Sequence, residues 1–489
     1  MLYLVLVVIF IITLYLFSQK RPKNYPPGPY GLPIFGHLLQ LGPSPHITLL
    51  KLKEKYGPIV AVDFGSYPAI GISDYRILRE ALAHPSFAGR PNLNVFQHRS
   101  RDVIARGLLF TEGRQWLEQR HFAIKQLKAL GYSKTSIETT VQAEISDFLI
   151  NLKADCNRPM SIRTRFHAPV LNILWALIVG ERDTTGEAAM LFKICTESIE
   201  EHNGLASLCM FIPWFSKIFP KLSGLDEMNK NLGPLWAFFE KYIKDHQSTF
   251  IPGQVRDFLD AYIQEIQNTT DPSSSFYKEV GERSMLSTLL DLFFAGGETT
   301  ANTIHWTCLY LASFPKVQKR LQDEVDSVIG NSRLPALTDE ISMPYTCAVI
   351  QESMRFTALI PLAIFHSTTQ DVELKGYKIP ANTMVLMNVY SALHDKEYWG
   401  DPEVFRPDRF LDDEGKLIKH EPMVPFCPGK RVCIGEVLAR NELFLYITSL
   451  FQTFSISTDP ANPNPSLDPI VTWIQMPPDH HLMFTQRNS

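Results

Sequence analysis

Clustered basic charge is absent from this sequence. Lysine and arginine together number 47 against 51 aspartate and glutamate, giving a formal charge of -4. That balance excludes the electrostatic footprint of a nucleic-acid-binding protein. A paired-cysteine framework is absent too. The seven cysteines stand at 156, 195, 209, 308, 347, 427 and 433. An odd, scattered set suits a reducing compartment in which most thiols serve as small buried hydrophobes. No internal repeat occurs, and no second composition regime begins beyond residue 40. Length alone suggests two to four domains, but this uniformity predicts one large domain. Its 45% hydrophobic residues suffice for a sizeable core and a buried cofactor.

Charge is also missing at the N-terminus before Lys20. Residues 2–17 are nearly all aliphatic or aromatic, and Lys20, Arg21 and Lys23 follow. About 18 helical residues at 1.5 Å each reach roughly 27 Å, close to a hydrocarbon core. A cleaved signal peptide would need a basic n-region and a small-residue cleavage site, and neither is found. Residues 1–19 are therefore expected to anchor the chain in a membrane. Positive charge just after the span places the body on the cytosolic side, at the endoplasmic reticulum if the source is eukaryotic. Residues 20–36 carry Tyr25-Pro26-Pro27-Gly28-Pro29, Gly31, Pro33 and Gly36. Prolines cannot continue a helix, so this stretch is expected to be a stiff elbow between membrane and body.

Residues 37–489 read as the body. Val60, Val62 and Phe64 alternate, residues 65–68 turn, and Ile70 and Ile72 resume, which predicts a hairpin. Residues 112–350 are mainly helical in pattern, with a loop at 268–277. A second strand region is expected over 372–390 and a final hairpin over 473–484. The predicted fold class is mainly α with small β-sheets.

The segment Phe426-Cys427-Pro428-Gly429-Lys430-Arg431-Val432-Cys433-Ile434-Gly435 is the most informative. A metal-bound thiolate needs an accessible sulfur, backbone donors to moderate its charge, and close approach to a flat macrocycle. Glycines permit the close turn. A helix expected over 436–450 would point its N-terminal N–H groups at the Cys433 sulfur and favour its anion. Further upstream, Ala295-Gly296-Gly297-Glu298-Thr299-Thr300 lies in an apolar helical pattern over 280–313. Two adjacent glycines inside a helix cost about 1 kcal/mol each against alanine, so something is expected to approach the backbone there. Glu352 and Arg355 share a helix face, and Trp116 and Arg120 share another.

The Phe-x-x-Gly-x-Arg-x-Cys-x-Gly spacing resembles the haem-binding loop of the cytochrome P450 family. The anchor, elbow, Trp-x-x-x-Arg, glycine-bearing helix, Glu-x-x-Arg, Phe405-Arg406-Pro407-Asp408-Arg409-Phe410 and cysteine loop follow the family order over essentially the whole chain. The run Phe87-Ala88-Gly89-Arg90-Pro91 resembles the microsomal branch. The resemblance implies haem b (iron protoporphyrin IX) with Cys433 as the iron ligand and Phe426, which opens the motif, among the residues that bind the cofactor. It implies that Trp116, Arg120, Arg431 and His366 face the haem, the last three at its propionates. Thr299 would relay a proton and Glu298 would supply protons from solvent. Glu352, Arg355 and Arg409 would form a structural triad. Cys427 occupies a free motif position and is read as packing.

The implied reaction is monooxygenation with O2, its electrons passing from NADPH through a separate flavoprotein, the NADPH-cytochrome P450 reductase. Lys125, Lys128, Lys430 and Arg440 are candidates for a basic docking face. Substrate contacts are expected from residues 93–110, 293–299, 360–364 and 473–476, mostly apolar, which suits a small lipophilic ligand. Residues 211–215 either dip into lipid or pack in the core. The general likeness to insect members suggests a farnesyl-type acid or ester of juvenile hormone synthesis as substrate. Steroids, fatty acids and xenobiotics stay open, as do a haem-thiolate isomerase and a non-enzymatic haem protein.

Overall fold

The computed structural model describes residues 21–102, 104–131, 135–201 and 210–487. The expected anchor over 1–19 and the thiol of Cys209 lie outside them, as does the side chain of Cys195. No helix among the described residues is long and apolar enough to cross a membrane.

A helix of 36 residues, Lys278–Ser313, runs through the centre. Its buried residues occupy every face, Leu289, Leu290, Ile304 and Leu309 among them, each 0% exposed. A helix apolar all round belongs in a core. It lies against His167–Val179 and the C-terminal helix Glu436–Thr453, with Pro344–Thr357 also in contact. The start and stop agree with the expected pattern: Phe314 caps it and Pro315 opens the next helix.

The close approach expected at the adjacent glycines is made by neighbouring side chains. A Cβ on Gly297 would meet Leu171 Cδ2 at 2.6 Å and Phe192 Cε2 at 3.0 Å, and one on Gly296 would meet Leu174 Cδ2 at 2.7 Å. The group that approaches this backbone is the neighbouring helix His167–Val179, with Phe192 beside it. Both glycines are explained by helix packing.

The strands make small sheets. β1 (Ile59–Phe64) and β2 (Tyr67–Ile72) form the expected hairpin, but Phe64 already pairs with Tyr67. The turn is therefore shorter than 65–68. β3 (Pro159–Ser161) lies apart from them. β5 (Val372–Leu374), β6 (Tyr377–Ile379) and β7 (Met384–Met387) fill the second strand region, and β4 (His366–Ser367) precedes it. Tyr390 lies in the short helix Val389–Leu393 instead of a strand. Asn388 ends the strand by accepting from Ser391 N as an N-cap.

β7 joins β2 in parallel and β4 antiparallel, completing the order β1-β2-β7-β4. The expected hairpin over 473–484 does not form. β9 (Ile470–Val471) and β10 (Gln475–Met476) pair with each other. β11 (His481–Gln486) instead pairs with β8 (Phe454–Thr458) on one side and β3 on the other.

The proline-rich elbow is docked on this first sheet. Ala61 N donates to Pro27 O at 2.8 Å, and Arg21 holds the carbonyls of Gly28 and Pro29.

Candidate active site

The segment before the C-terminal helix folds back on itself. Cys433 N donates to Phe426 O at 3.1 Å, and Val432 N donates to Gly429 O at 3.1 Å. Gly429 has φ +101, and a Cβ there would stand 2.0 Å from Leu82 O. Main chain cannot yield as a side-chain tip can. Gly429→Ala is therefore expected to distort the segment, with roughly 1–3 kcal/mol of backbone strain before the clash is counted. A lowered denaturant midpoint together with poorer haem retention checks this.

Two thiols lie in the segment, and their surroundings separate them. Cys427 packs among apolar residues. Burial pushes its thiol up to about 12, although Arg90 pulls the other way. It stays protonated and soft chemistry is closed to it. Cys433 is exposed by surface area. Protein nonetheless surrounds its sulfur, and burial, helped by the Glu436 carboxylate, leaves its pKa above the usual thiol value, while the N–H groups of Gly435 and Glu436 and the charge of Arg120 pull it down. Gly435 is the N-cap of Glu436–Thr453. The sulfur thus stands at a helix N-terminus, where partial positive charge favours an anion.

Beside this segment stand three cations, Arg90 and Arg431 buried and Arg120 partly buried. Arg120, on the helix Gly113–Ala129, donates to Val432 O at 2.7 Å. Arg431 donates to Ala88 O at 2.8 Å and Thr111 O at 2.6 Å, and its guanidinium stacks 3.8 Å over the Trp116 ring. Arg90 donates to the carbonyls of Leu109, Ile364 and Phe365.

Among the described residues none of these guanidiniums forms an ion pair with a carboxylate. Burial, then Arg90 and Arg120, pull Arg431 down to about 8, and burial above all pulls Arg90 down to about 10. Guanidinium scarcely gives up its proton in a protein, so that pressure is a demand for anions. Glu112 acts on Arg90 and Arg431 from nearby without an ion pair to either guanidinium; a soft sulfur and these incompletely balanced cations together fit an iron porphyrin with its two carboxylates.

His366 sits in β4, beside Gly89 through the Gly89–Ser367 bridge. Its Nδ1 lies 2.7 Å from Phe87 O, so Nδ1–H donates there. Burial and then Arg90 hold it well below the usual imidazole range. Neutral His366 therefore offers a lone pair at Nε2, and must take up a proton there before it can bind a carboxylate. Phe426 is partly buried against the main core, with Arg440 stacked 4.8 Å over its ring.

On the central helix, Thr299 Oγ1 donates to Ala295 O at 2.8 Å. Ala295 is exposed although its neighbours Leu292 and Phe293 are buried. Glu298 does not run out to solvent. Its Oε1 accepts from Asn302 Nδ2 at 2.7 Å, and its Oε2 lies 3.8 Å from His167 Nε2.

The expected triad assembles. Arg355 Nε stands 2.6 Å from Glu352 Oε2, and Arg409 Nε 3.2 Å from Glu352 Oε1. Asp408 turns away to Arg320 at 2.5 Å.

Two groups escaped the sequence. Asp291, 1% exposed, accepts from Leu108 N and Leu109 N at 2.6 and 3.0 Å and pairs with Arg99. It fastens Arg99, Leu108 and Leu109 to the central helix. Arg90 had been noticed only as part of a branch-specific run. In the proposed docking set, Lys125, Lys128 and Lys430 are exposed. Arg440 is instead engaged with Glu436 at 2.9 Å.

Residues 26–483 match the family model described as Cytochrome P450. Cytochrome P450 2J3 of Rattus norvegicus is 34% identical over 95% of this chain and 92% of its own length. Cytochrome P450 2B2 of the same animal is 33% identical over 100% and 99%. Cytochrome P450 18a1 of Drosophila melanogaster is 33% identical over 92% and 85%. A thiol at a helix N-terminus beside incompletely balanced cations, and a likeness extending from the elbow to the last sheet, lead to one assignment: the chain belongs to the cytochrome P450 family.

Proposed function

We propose that the protein is a haem-thiolate monooxygenase inserting one atom of O2 into a small lipophilic substrate, by hydroxylation or epoxidation. The family uses haem, O2 and NADPH-derived electrons delivered by a reductase. The observation that carries the reading is Cys433, an accessible sulfur supplied with Gly435 and Glu436 N–H donors. When bound, the haem supplies the oxygen-activating chemistry, which thiolate ligation favours.

This chain's residues divide the remaining work. The Gly435 and Glu436 amides stabilise the sulfur as an anion. Arg120 and Arg431 hold the propionates, with Trp116 stacked under Arg431. His366 joins them once its Nε2 is protonated. Thr299 passes a proton toward the reacting oxygen, and Glu298 supplies it. Lys125, Lys128 and Lys430 form the basic face for the acidic reductase.

Residues 211–215 divide between the two expected roles: Phe211 and Ile212 are buried, whereas Trp214 is exposed. With exposed Ile218, Phe219 and Leu222, Trp214 makes an apolar edge suited to a membrane surface. The endoplasmic reticulum, with a cytosolic body, is the location this reading supports. Phe294, Ala295, Ile360 and Ile364 would offer the substrate apolar surface. A farnesyl-type acid or ester is one candidate, and steroids, fatty acids and xenobiotics are the others.

The test is turnover with purified reductase, NADPH and isotopically labelled O2. One labelled atom should appear in product and one in water. Rearrangement of a hydroperoxide without O2 or NADPH would establish an isomerase instead. Spectral shifts on adding terpenoids, steroids and fatty acids to the ferric protein choose among substrates. Thr299→Ala removes a hydroxyl bonded only within its own helix, so folding should be spared. Product formed per NADPH oxidised is expected to fall by on the order of tenfold or more, with NADPH oxidation continuing. An unchanged ratio removes Thr299 from the proton path.

A further inference from the structure

Arg99 carries more donors than its one partner uses. It pairs with Asp291 through Nη1, while Nε and Nη2 have no hydrogen-bond partner among the described residues. A guanidinium presents five N–H donors in a fixed fork, and a donor shielded from water without a partner costs free energy. The side chain is 12% exposed, so the unused edge is neither sealed in the core nor fully hydrated. Asp291 does not depend on Arg99 alone, because its Oδ2 accepts from two main-chain amides, Leu108 N and Leu109 N. Ion pairs among the described residues join Arg99, Arg101, Arg106 and Arg283 to three carboxylates, those of Asp291, Glu240 and Asp102. These pairs hold one more cation than anion.

Aromatic rings flank the guanidinium. It stands 5.4 Å from the Phe110 ring and 5.9 Å from the Phe294 ring, and Phe110 stacks on Phe96 at 3.7 Å. Phe96 and Phe110 belong to the same apolar cluster as Leu362. Three of the segments expected to meet substrate, 93–110, 293–299 and 360–364, therefore converge around one cation. Along the central helix Asp291, Ala295 and Thr299 follow at i, i+4 and i+8 and share a face. Ala295 is exposed and Thr299 partly so, although both lie in the middle of that helix. Thr299 stands about 12 Å along the axis from Asp291 and about 7.5 Å from Phe294.

We propose that Arg99 is a specificity-determining residue that binds the carboxylate of a lipophilic acid through its unused Nε and Nη2 edge. A carboxylate matches that fork with two parallel hydrogen bonds, and one fixed polar contact in an apolar pocket sets a ligand's direction. The hydrocarbon chain then runs over Phe110 and Phe294 toward Thr299. An extended chain advances about 1.2 Å per bond, so oxygen enters roughly six to ten bonds from the carboxyl carbon. The carboxylate itself is unchanged. Straight-chain and isoprenoid acids share this chemistry. The inference deepens the monooxygenase reading and rests on it for the placing of oxygen at Thr299.

The test titrates full-length ferric holoprotein at neutral pH with two pairs of probes, dodecanoic acid with methyl dodecanoate and farnesoic acid with methyl farnesoate. Affinity is read from the Soret shift. At least one acid should bind about ten- to a hundredfold more tightly than its ester, the range that hydrogen bonds to a charged group supply. The pair that shows the preference tells straight-chain from isoprenoid substrates. In Arg99→Gln the acid-to-ester ratio should collapse to near unity, whereas a merely structural role would weaken acid and ester together and keep the ratio. Should that variant misfold with Asp291 left alone, Arg99→Gln combined with Asp291→Asn removes both charges and should show the same collapse. Turnover of the preferred acid should place oxygen far from the carboxyl group. Esters bound as tightly as acids in both pairs by the wild type, a ratio that survives loss of Arg99, or oxidation beside the carboxyl group overturns the assignment. Because affinity is read without turnover, that failure is distinct from failure of the monooxygenase reading, which labelled O2 decides.

Discussion

Serine in place of Cys433 is expected to abolish monooxygenase activity while leaving the fold standing. The side chain is exposed and its removal opens no cavity, so the penalty falls on ligation and not on packing. Serine is neither soft nor readily ionised. The electron density that a thiolate lends to iron, and with it the preference for O–O cleavage, is therefore lost. Cys427 is packed against the core around β2 and Leu82, whereas Cys433 is exposed. The expected result is a variant with wild-type circular dichroism and no thiolate signature in the reduced carbon monoxide complex. Retained signature and turnover in Cys433→Ser would move the ligand elsewhere.

Arg355→Met should have an effect of comparable size by a different route. Arg355 and Glu352 are both 0% exposed. Arg355 also donates to Leu393 O and Pro402 O, each at 2.9 Å, and Glu352 Oε1 further accepts from Arg406 N at 2.8 Å. Methionine fills similar space but leaves Glu352 with Arg409 as its sole charged partner. Breaking one side of a buried pair costs about 3–5 kcal/mol, against a typical total of about 5–15 kcal/mol. The denaturant midpoint should fall steeply, and little haem-loaded protein should be recovered. Glu352→Leu combined with Arg355→Met should recover part of the loss, because the lone buried carboxylate is then gone. An Arg355→Met midpoint equal to wild type contradicts a structural triad.

Local signals specify the thiolate segment, the central helix and the first hairpin. Each is specified by neighbours in sequence: the glycines and arginine around Cys433, the apolar pattern before Pro315, and the alternation through Ile72. What stayed hidden depends on distant partners. Arg90 is engaged by the carbonyls of Ile364 and Phe365, and no nearby residue announces that. Asp291 looks like one polar residue in an apolar helix until the amides of Leu108 and Leu109 fold over it.

Residues 473–484 read as a local hairpin, yet the partners of β11 are β8 and β3. The pair Gly296 and Gly297 was rightly singled out as a close approach, but the approaching group is Leu171 and Leu174. Helix spacing cannot say which neighbour comes near. Arg440, a candidate for the basic docking face, pairs with Glu436 one turn earlier on the same helix.

Sulfur ligation by Cys433 has one spectroscopic consequence on which the other assignments depend. Wild-type protein loaded with haem should be reduced, exposed to carbon monoxide, and its Soret band recorded. An anionic sulfur ligand predicts a band displaced far to the red of that given by a histidine-ligated haem. A fully loaded, folded preparation whose band stays at the histidine-type position would contradict ligation by Cys433.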